Sequence, residues 1–159
     1  MAAAIRLLAF LLVPLLVGAG SGFLTSGAVR DWYPSLVRPS FAPPSWIFGP
    51  VWTALYLMMG LAAWLVWRKA GSTPAGRVAL GLFAVQLVLN GLWSVLFFGL
   101  RAPGPALIEI VVLWVGIAAT LRAFWRLDAG AGWLLVPYLC WVTFATALNA
   151  GFWWLNRSG

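Results

Sequence analysis

Apolar residues dominate the chain in five long runs, separated by short segments where charge, proline and glycine collect. Each run has about 20 residues, the length that a helix needs to cross a hydrocarbon core of ~30 Å. The runs extend approximately over residues 5–24, 46–67, 78–100, 104–124 and 130–154. The pattern predicts an all-α membrane protein: one five-transmembrane-helix bundle that spans residues 1–159 as a single domain.

The first run has a second interpretation. Arg6, the apolar residues after it and the small residues at 18–22 are also typical of a cleavable signal peptide. However, apolar character resumes at Phe23 and Leu24, and the small cluster lacks a clear Ala-x-Ala site. Small residues also let membrane helices approach closely. We therefore expect the first helix to be retained.

The segment between the first two runs, residues 26–45, is both aromatic and rich in proline. Its four prolines fix φ and remove donors, so the segment cannot be one continuous helix. Its aromatic side chains, however, are costly to leave in water. Both facts predict a rigid lid over an apolar site, and the alternative is an interfacial aromatic belt. Ser45 is expected to cap a second helix that begins at Trp46.

Polar and small side chains of a membrane bundle should face its interior. Helical spacing predicts inward stripes of Gly18, Gly22 and Thr25; of Trp52, Tyr56, Met59 and Ala63; of Gln86, Asn90, Trp93 and Phe97; of Gly116, Thr120 and Ala123; and of Tyr138, Trp141, Ala145, Leu148, Asn149 and Phe152. Hydrogen bonds across helices explain the two amides on the third stripe equally well. The large aromatic residues nevertheless cluster at the lid's end of three helices, which favours a cavity for a flat apolar ligand.

Composition and charge support the membrane assignment. Hydrophobic residues make up 64% of the chain and charged residues 8%, against roughly 25% charged residues in soluble domains. The net charge of +7 comes from basic residues near helix ends, where they meet lipid headgroups or an anionic ligand. No arginine run with interleaved aromatic residues occurs, so we expect no nucleic-acid partner. The distribution of basic residues slightly favours a cytoplasmic N-terminus.

Candidate catalytic chemistry is scarce. The chain has no histidine, no paired carboxylates, no nucleophile triad and no glycine-rich phosphate loop, so we expect neither a metal site nor an obligatory cofactor. Enzymatic activity is left open, because tryptophan, tyrosine and Cys140 are the redox-capable side chains present. Glu109 is the one acidic residue within a predicted helix. It is expected to reach the interface or pair with Arg101; as a third hypothesis, it serves a small proton-coupled transporter.

Three segments carry a recognisable combination of motifs. They comprise Trp32-Tyr33, Pro39-Ser40, Pro43-Pro44, Trp46, Trp52 and Leu55-Tyr56; Gln86-Leu87, Leu89-Asn90, Trp93 and Phe97-Phe98-Gly99; and Pro137-Tyr138-Leu139, Trp141, Ala145-Thr146 and Leu148-Asn149. With them the chain resembles, over nearly its whole length, the translocator protein family, also called tryptophan-rich sensory proteins. The resemblance implies a five-helix bundle, often a homodimer, whose first loop covers a pocket for porphyrins, sterols or isoquinoline and benzodiazepine ligands.

The resemblance also implies a function. It indicates an integral membrane porphyrin-binding protein, expected in a bacterial cell envelope, which acts as sensor, carrier or scavenger with porphyrin as ligand rather than cofactor. The alternative is light- or oxidant-driven porphyrin degradation, because Trp52 and Trp141 match tryptophans associated with porphyrin breakdown in bacterial relatives.

The candidate ligand-binding residues come from two sources. The resemblance supplies the contact positions Phe48, Gly49, Val51, Trp52, Ala145 and Leu148. The inward stripes and the lid supply Gly22, Arg30, Trp32, Arg38, Tyr56, Asn90, Trp93, Tyr138 and Trp141. Arg30 and Arg38 are expected to meet the propionates of a porphyrin, because they are the cations among the lid's aromatic residues.

Overall fold

Five long helices form the protein. The computed structural model describes residues 2–157, and each helix is long and apolar enough to cross a membrane. The helices are α1 (Ala2–Asp31), α2 (Phe48–Ala70), α3 (Pro74–Ser94), α4 (Pro103–Leu127) and α5 (Ala129–Asn156). The described residues contain no strand. The predicted fold class, an all-α bundle of five membrane helices, is therefore confirmed.

The helices pack in the cyclic order α1, α2, α5, α4, α3, so that each contacts its two neighbours in the ring. The contact between α1 and α2 is close because both helices carry glycine there. A Cβ at Gly18 would overlap the ring of Tyr56, and a Cβ at Gly60 would overlap the backbone of Phe10. Glycine thus lets the first helix join the bundle.

Two predictions about the first loop are wrong. The loop is shorter than expected because α1 continues through Asp31, which places Arg30 in the last turn of α1 rather than in the lid. Ser26 does not end this helix, since its hydroxyl donates to the carbonyl of Phe23 at 2.9 Å within it. Ser45 makes no capping hydrogen bond; it begins a single 3-10 turn, Ser45–Ile47, and α2 follows.

The end of α3 also differs from the prediction. The α-helix stops at Ser94, and one π-helical turn, Val95–Gly99, carries the chain to the connection with α4. Arg101 in that connection adopts a positive φ of 53°. The π turn buries Phe97 and places Phe98 against Tyr33 of the lid, with ring centroids 5.6 Å apart.

The predicted inward faces are largely confirmed. Buried side chains include Tyr56, Met59, Ala63, Gln86, Asn90, Phe97, Thr120, Tyr138, Leu148, Asn149 and Phe152. Trp52, Trp93 and Trp141 are half-buried instead. These three tryptophans lie at the same end of the bundle, the end that the lid covers.

Candidate functional site

A cavity of about 580 Å³ lies beneath the lid, between α1, α2, α5 and the end of α3. Most of the predicted site residues line it: Gly22, Arg30, Arg38, Phe48, Gly49, Trp52, Tyr56, Trp93, Trp141, Ala145 and Leu148. The volume lies within the range of small-molecule sites, ~300–1,000 Å³. The lining combines large aromatic side chains with small residues, which leaves a space bounded by flat faces.

Four predicted site residues lie outside the cavity lining. The Trp32 indole packs edge-on against Phe97, with centroids 5.9 Å apart. Val51 packs against the hydrophobic core of the bundle, and Asn90 and Tyr138 are buried. The structure places these four residues in the layer that supports the cavity wall.

A hydrogen-bond network forms this supporting layer. The Tyr56 hydroxyl donates to Asn90 Oδ1 at 2.7 Å, and Asn90 Nδ2 donates to the Tyr138 hydroxyl at 3.0 Å. The Tyr138 hydroxyl donates in turn to Gln86 Oε1 at 2.9 Å. The network joins α2, α3 and α5, so the interpretation that these amides bond across helices is confirmed. Because Tyr56 also lines the cavity, the network fixes one wall of it.

The two candidate redox residues line the same cavity. Trp52 stacks on Tyr56, with centroids 5.4 Å apart and ring planes 29° apart. Trp141 meets Phe48 edge-on at 5.8 Å, and its buried Nε1 has no acceptor among the described residues. A buried donor without an acceptor costs about 1–3 kcal/mol.

The lid is held down by aromatic packing. Tyr33 is buried between Phe98 and Phe152, with centroid distances of 5.6 and 5.3 Å. The Arg38 guanidinium lies 5.8 Å from the centre of the Tyr33 ring and donates to the carbonyl of Pro43 at 2.9 Å. Burial raises the pKa of the Tyr33 phenol, and the Arg38 charge opposes that rise. Arg38 therefore stabilises the lid as well as lining the cavity.

A pair of hydrogen bonds that the sequence analysis missed fastens the lid to α5. The backbone N–H of Val37 donates to Asn156 Oδ1 at 2.9 Å, and Asn156 Nδ2 donates to the Val37 carbonyl at 3.0 Å. The signal was present in the sequence, because residue 156 continues the inward stripe through Asn149 and Phe152 at helical spacing. The predicted stripe of α1 is wider than expected, because Ser21 and Val29 also line the cavity beside Gly18, Gly22 and Thr25.

The environment of Glu109 differs from the prediction. The side chain is buried, with 8% of the residue exposed, and neither carboxylate oxygen has a hydrogen-bond partner among the described residues. Both carboxylate oxygens are buried within the bundle, and they form no ion pair with Arg101. The one ion pair between described residues joins Lys69 to Asp128, at 3.4 Å. Among the described residues, no group of three or more His, Cys, Asp or Glu side chains could hold a metal ion.

The residues that form the lid, the cavity and the supporting network fall within 10–155, except for the Asn156 contact. That same stretch matches the family model described as the TspO/MBR family. The chain belongs to the TspO/MBR family. The resemblance inferred from the motifs is thereby confirmed, and the chain is an integral, multi-pass membrane protein.

Relatives within the TspO/MBR family match most of the chain. The Tryptophan-rich protein TspO of Chlorobaculum tepidum is 45% identical over 135 residues, 85% of each chain. That of Archaeoglobus fulgidus is 39% identical over 152 residues, 96% of this chain and 97% of the relative. The Translocator protein of Homo sapiens is 42% identical over 135 residues, 84% of this chain and 79% of the relative.

Proposed function

We propose that this TspO/MBR protein binds a flat tetrapyrrole, a porphyrin, in the cavity beneath the lid. The observation behind the proposal is the aromatic cavity itself: Trp52, Trp93 and Trp141 line one cavity together with two arginines. Its relatives bear the names tryptophan-rich sensory protein and translocator protein. We therefore assign the binding event to a sensor or carrier role in the membrane.

The chemistry of the lining suits such a ligand. Stacking a flat ring on an indole face contributes about 0.5–1.5 kcal/mol beyond the burial of area, and the cavity offers several such faces. Arg30 and Arg38 are exposed where they line the cavity, so they could meet propionate groups while the ring is buried.

The test is a titration of protoporphyrin into the purified protein in detergent, followed by tryptophan fluorescence and porphyrin absorbance. We expect saturable quenching at one porphyrin per chain, because the cavity beneath the lid holds one ligand. Empty micelles of the same detergent are the control. Quenching that rises linearly, as it does in micelles with free tryptophan, would contradict the proposal.

A second candidate function is light- or oxidant-driven degradation of the bound porphyrin. It is favoured by the position of Trp52 and Trp141 on one cavity, with Trp52 stacked on Tyr56. Trp52→Phe should retain binding, since phenylalanine keeps a stacking face, but lower turnover under light and oxygen, since it is harder to oxidise. Trp133→Phe, an exposed tryptophan on α5, is the matched control. Equal turnover in the two variants would exclude this role for Trp52.

A further inference from the structure

The buried carboxyl group of Glu109 has no assigned role. A carboxylate inside a membrane bundle is costly unless it is paired, hydrogen-bonded or neutralised by a proton. Neither oxygen of Glu109 has a donor among the described residues. Loss of water from its surroundings therefore favours the protonated, neutral form of this side chain.

The register of α4 against α5 gives the level of Glu109 relative to the cavity. Trp114 Nε1 donates to Thr143 Oγ1 at 2.8 Å across the two helices. The helices run antiparallel, so five residues back along α4 correspond to five residues forward along α5. Glu109 is therefore level with Leu148, which lines the cavity.

The register of α4 against α3 gives the same level. Gly116 packs against the Gln86 side chain, where a Cβ would lie 3.4 Å from Gln86 Cβ. Two helical turns toward the lid from this contact lead to Glu109 on α4 and to Trp93 on α3. Trp93 also lines the cavity. The buried carboxyl is thus level with two elements of the cavity wall.

The ionisable groups around Glu109 leave its charge uncompensated. The buried ionisable side chains on the helices packed against α4 are the uncharged phenols of Tyr138 on α5 and Tyr56 on α2. The described parts of α3 and of the π turn present only uncharged side chains to the interior. The remaining ionisable residues on α4 and on the helices packed against it are exposed: Arg68, Lys69, Arg77, Arg122, Arg126 and Cys140.

We propose that Glu109 takes up a proton when a ligand fills the cavity, so that ligand binding is linked to protonation of this carboxyl. The inference rests on the proposed ligand site. In the empty cavity, water in contact with the wall stabilises the charged carboxylate. A flat apolar ligand displaces that water, and the propionates of a porphyrin add negative charge nearby. Both changes favour the neutral acid.

The sign of the pH dependence follows from this linkage. Glu109 has a higher proton affinity in the complex than in the free protein, so its contribution to binding is fully present at low pH. The contribution is lost as the pH rises through the pKa of Glu109 in the complex. With one proton taken up per ligand, the affinity falls by as much as about tenfold per pH unit in that window.

The test is calorimetric titration of the full chain with protoporphyrin dimethyl ester, whose side chains do not ionise. Titrations in phosphate and in Tris, repeated from mildly acidic to mildly alkaline pH, give the number of protons taken up. We expect a net uptake of up to one proton in the unmodified protein and none in Glu109→Gln. Asp128→Asn, which removes a carboxyl at the loop between α4 and α5, should behave like the unmodified protein.

Infrared difference spectra of the 13C-labelled, unmodified protein provide a second measurement that does not depend on a variant. Ligand addition should produce the C=O stretch of a protonated protein carboxyl, separated by the label from the ester bands. Binding without proton uptake at any pH, or equal uptake in the unmodified protein and Glu109→Gln, overturns the coupling alone. Absence of porphyrin binding overturns the proposed function and the coupling together.

Discussion

At the scale of single residues, Ala145 keeps part of the cavity open. It is buried on α5, one turn from Trp141, and lines the same cavity as Trp141 and Trp52. A methyl group there leaves open the volume that a larger side chain would fill. The identity of one small residue thus matters as much as the identity of the aromatic residues around it.

We predict that Ala145→Phe abolishes porphyrin binding and leaves the fold intact, because the cavity has room for the added ring. Ala147→Phe introduces the same ring on the exposed face of α5 and is the matched control. Fluorescence titration measures binding, and circular dichroism in detergent checks the helix content. Undiminished binding by Ala145→Phe would place the ligand elsewhere.

The two arginines of the cavity should differ in their effects. Arg38 contacts Tyr33 and Pro43, whereas Arg30 lies in the last turn of α1. We predict that Arg30→Gln weakens a dicarboxylate porphyrin by roughly 1 kcal/mol, the upper range for an exposed ion pair, and leaves its dimethyl ester unaffected. Arg38→Gln should weaken both ligands, because it also loosens the lid. Equal losses for both ligands with Arg30→Gln would assign that residue to the lipid headgroups.

At the scale of elements, the polar network beneath the cavity fixes the packing of three helices. Asn90 forms two of the hydrogen bonds in the network, one with Tyr56 on α2 and one with Tyr138 on α5. Interhelical hydrogen bonds in membranes contribute ~0.6 kcal/mol on average and up to ~1.7 kcal/mol. This network is therefore a modest contributor to stability but a specific one, since it sets the level of α3 against its neighbours.

We predict that Asn90→Leu lowers the free energy of unfolding by about 1–2 kcal/mol, as two such bonds are lost. The measurement is denaturant unfolding in mixed micelles. Thr143→Val, which removes one exposed hydrogen bond between α4 and α5, should cost less. A larger effect of the control would show that the network is not what holds these helices.

The start of α5 carries a titratable cap. The Asp128 carboxylate accepts from the backbone N–H of Ala131 at 2.9 Å, which holds its pKa below the usual range, and the ion pair with Lys69 adds to the effect. A depressed pKa in the folded state means that Asp128 contributes stability above the pKa of the unfolded chain, near 4. This contribution is lost as the pH falls through the folded pKa.

We predict that Asp128→Asn removes this acid-dependent loss of stability, because asparagine caps without titrating. Asp128→Ala should lower stability by about 1 kcal/mol at neutral pH. Thermal unfolding from neutral to acidic pH measures both effects. An unchanged acid dependence in Asp128→Asn would assign it to other carboxyls.

Hydropathy and helical spacing were sufficient for much of this element-level picture. Long apolar runs predict membrane helices because lipid admits few alternatives, and stripes such as Gln86, Asn90 and Phe97 predict inward faces because lipid disfavours exposed amides. The motifs around Trp52 and Trp141 predicted that α2 and α5 share a pocket, and both tryptophans line the same cavity. These signals are local in the sequence, and so they predict structure without knowledge of contacts between distant residues.

The remaining features depend on contacts distant in the chain. The extension of α1 to Asp31 rests on side chains such as Ser26 that are compatible with helix and loop alike. The π turn after Ser94 has no distinct residue pattern. The burial of Glu109 follows from the register of α4 against α3 and α5, which hydropathy does not encode.

At the scale of the whole molecule, the ring of helices closes around the cavity on the side of α1 as well as α5. Gly18 admits the ring of Tyr56, and Ser21 and Thr25 continue the wall toward the lid. The first helix is therefore a part of the site and not only a membrane anchor. The lid closes the remaining end, and its attachment to α5 joins residues 119 positions apart in the chain.

We expect that attachment to govern how quickly a ligand exchanges. If the lid is fastened both with and without ligand, the hydrogen bonds between Val37 and Asn156 must break for entry and for exit alike. We predict that Asn156→Ala accelerates association and dissociation by the same factor, roughly fivefold for about 1 kcal/mol, with an unchanged dissociation constant. Stopped-flow fluorescence measures both rates, and Arg157→Gln, one residue later, is the control. Such a result would mean that the last turn of α5 sets the lifetime of the complex. The dissociation constant would be set elsewhere, by the cavity.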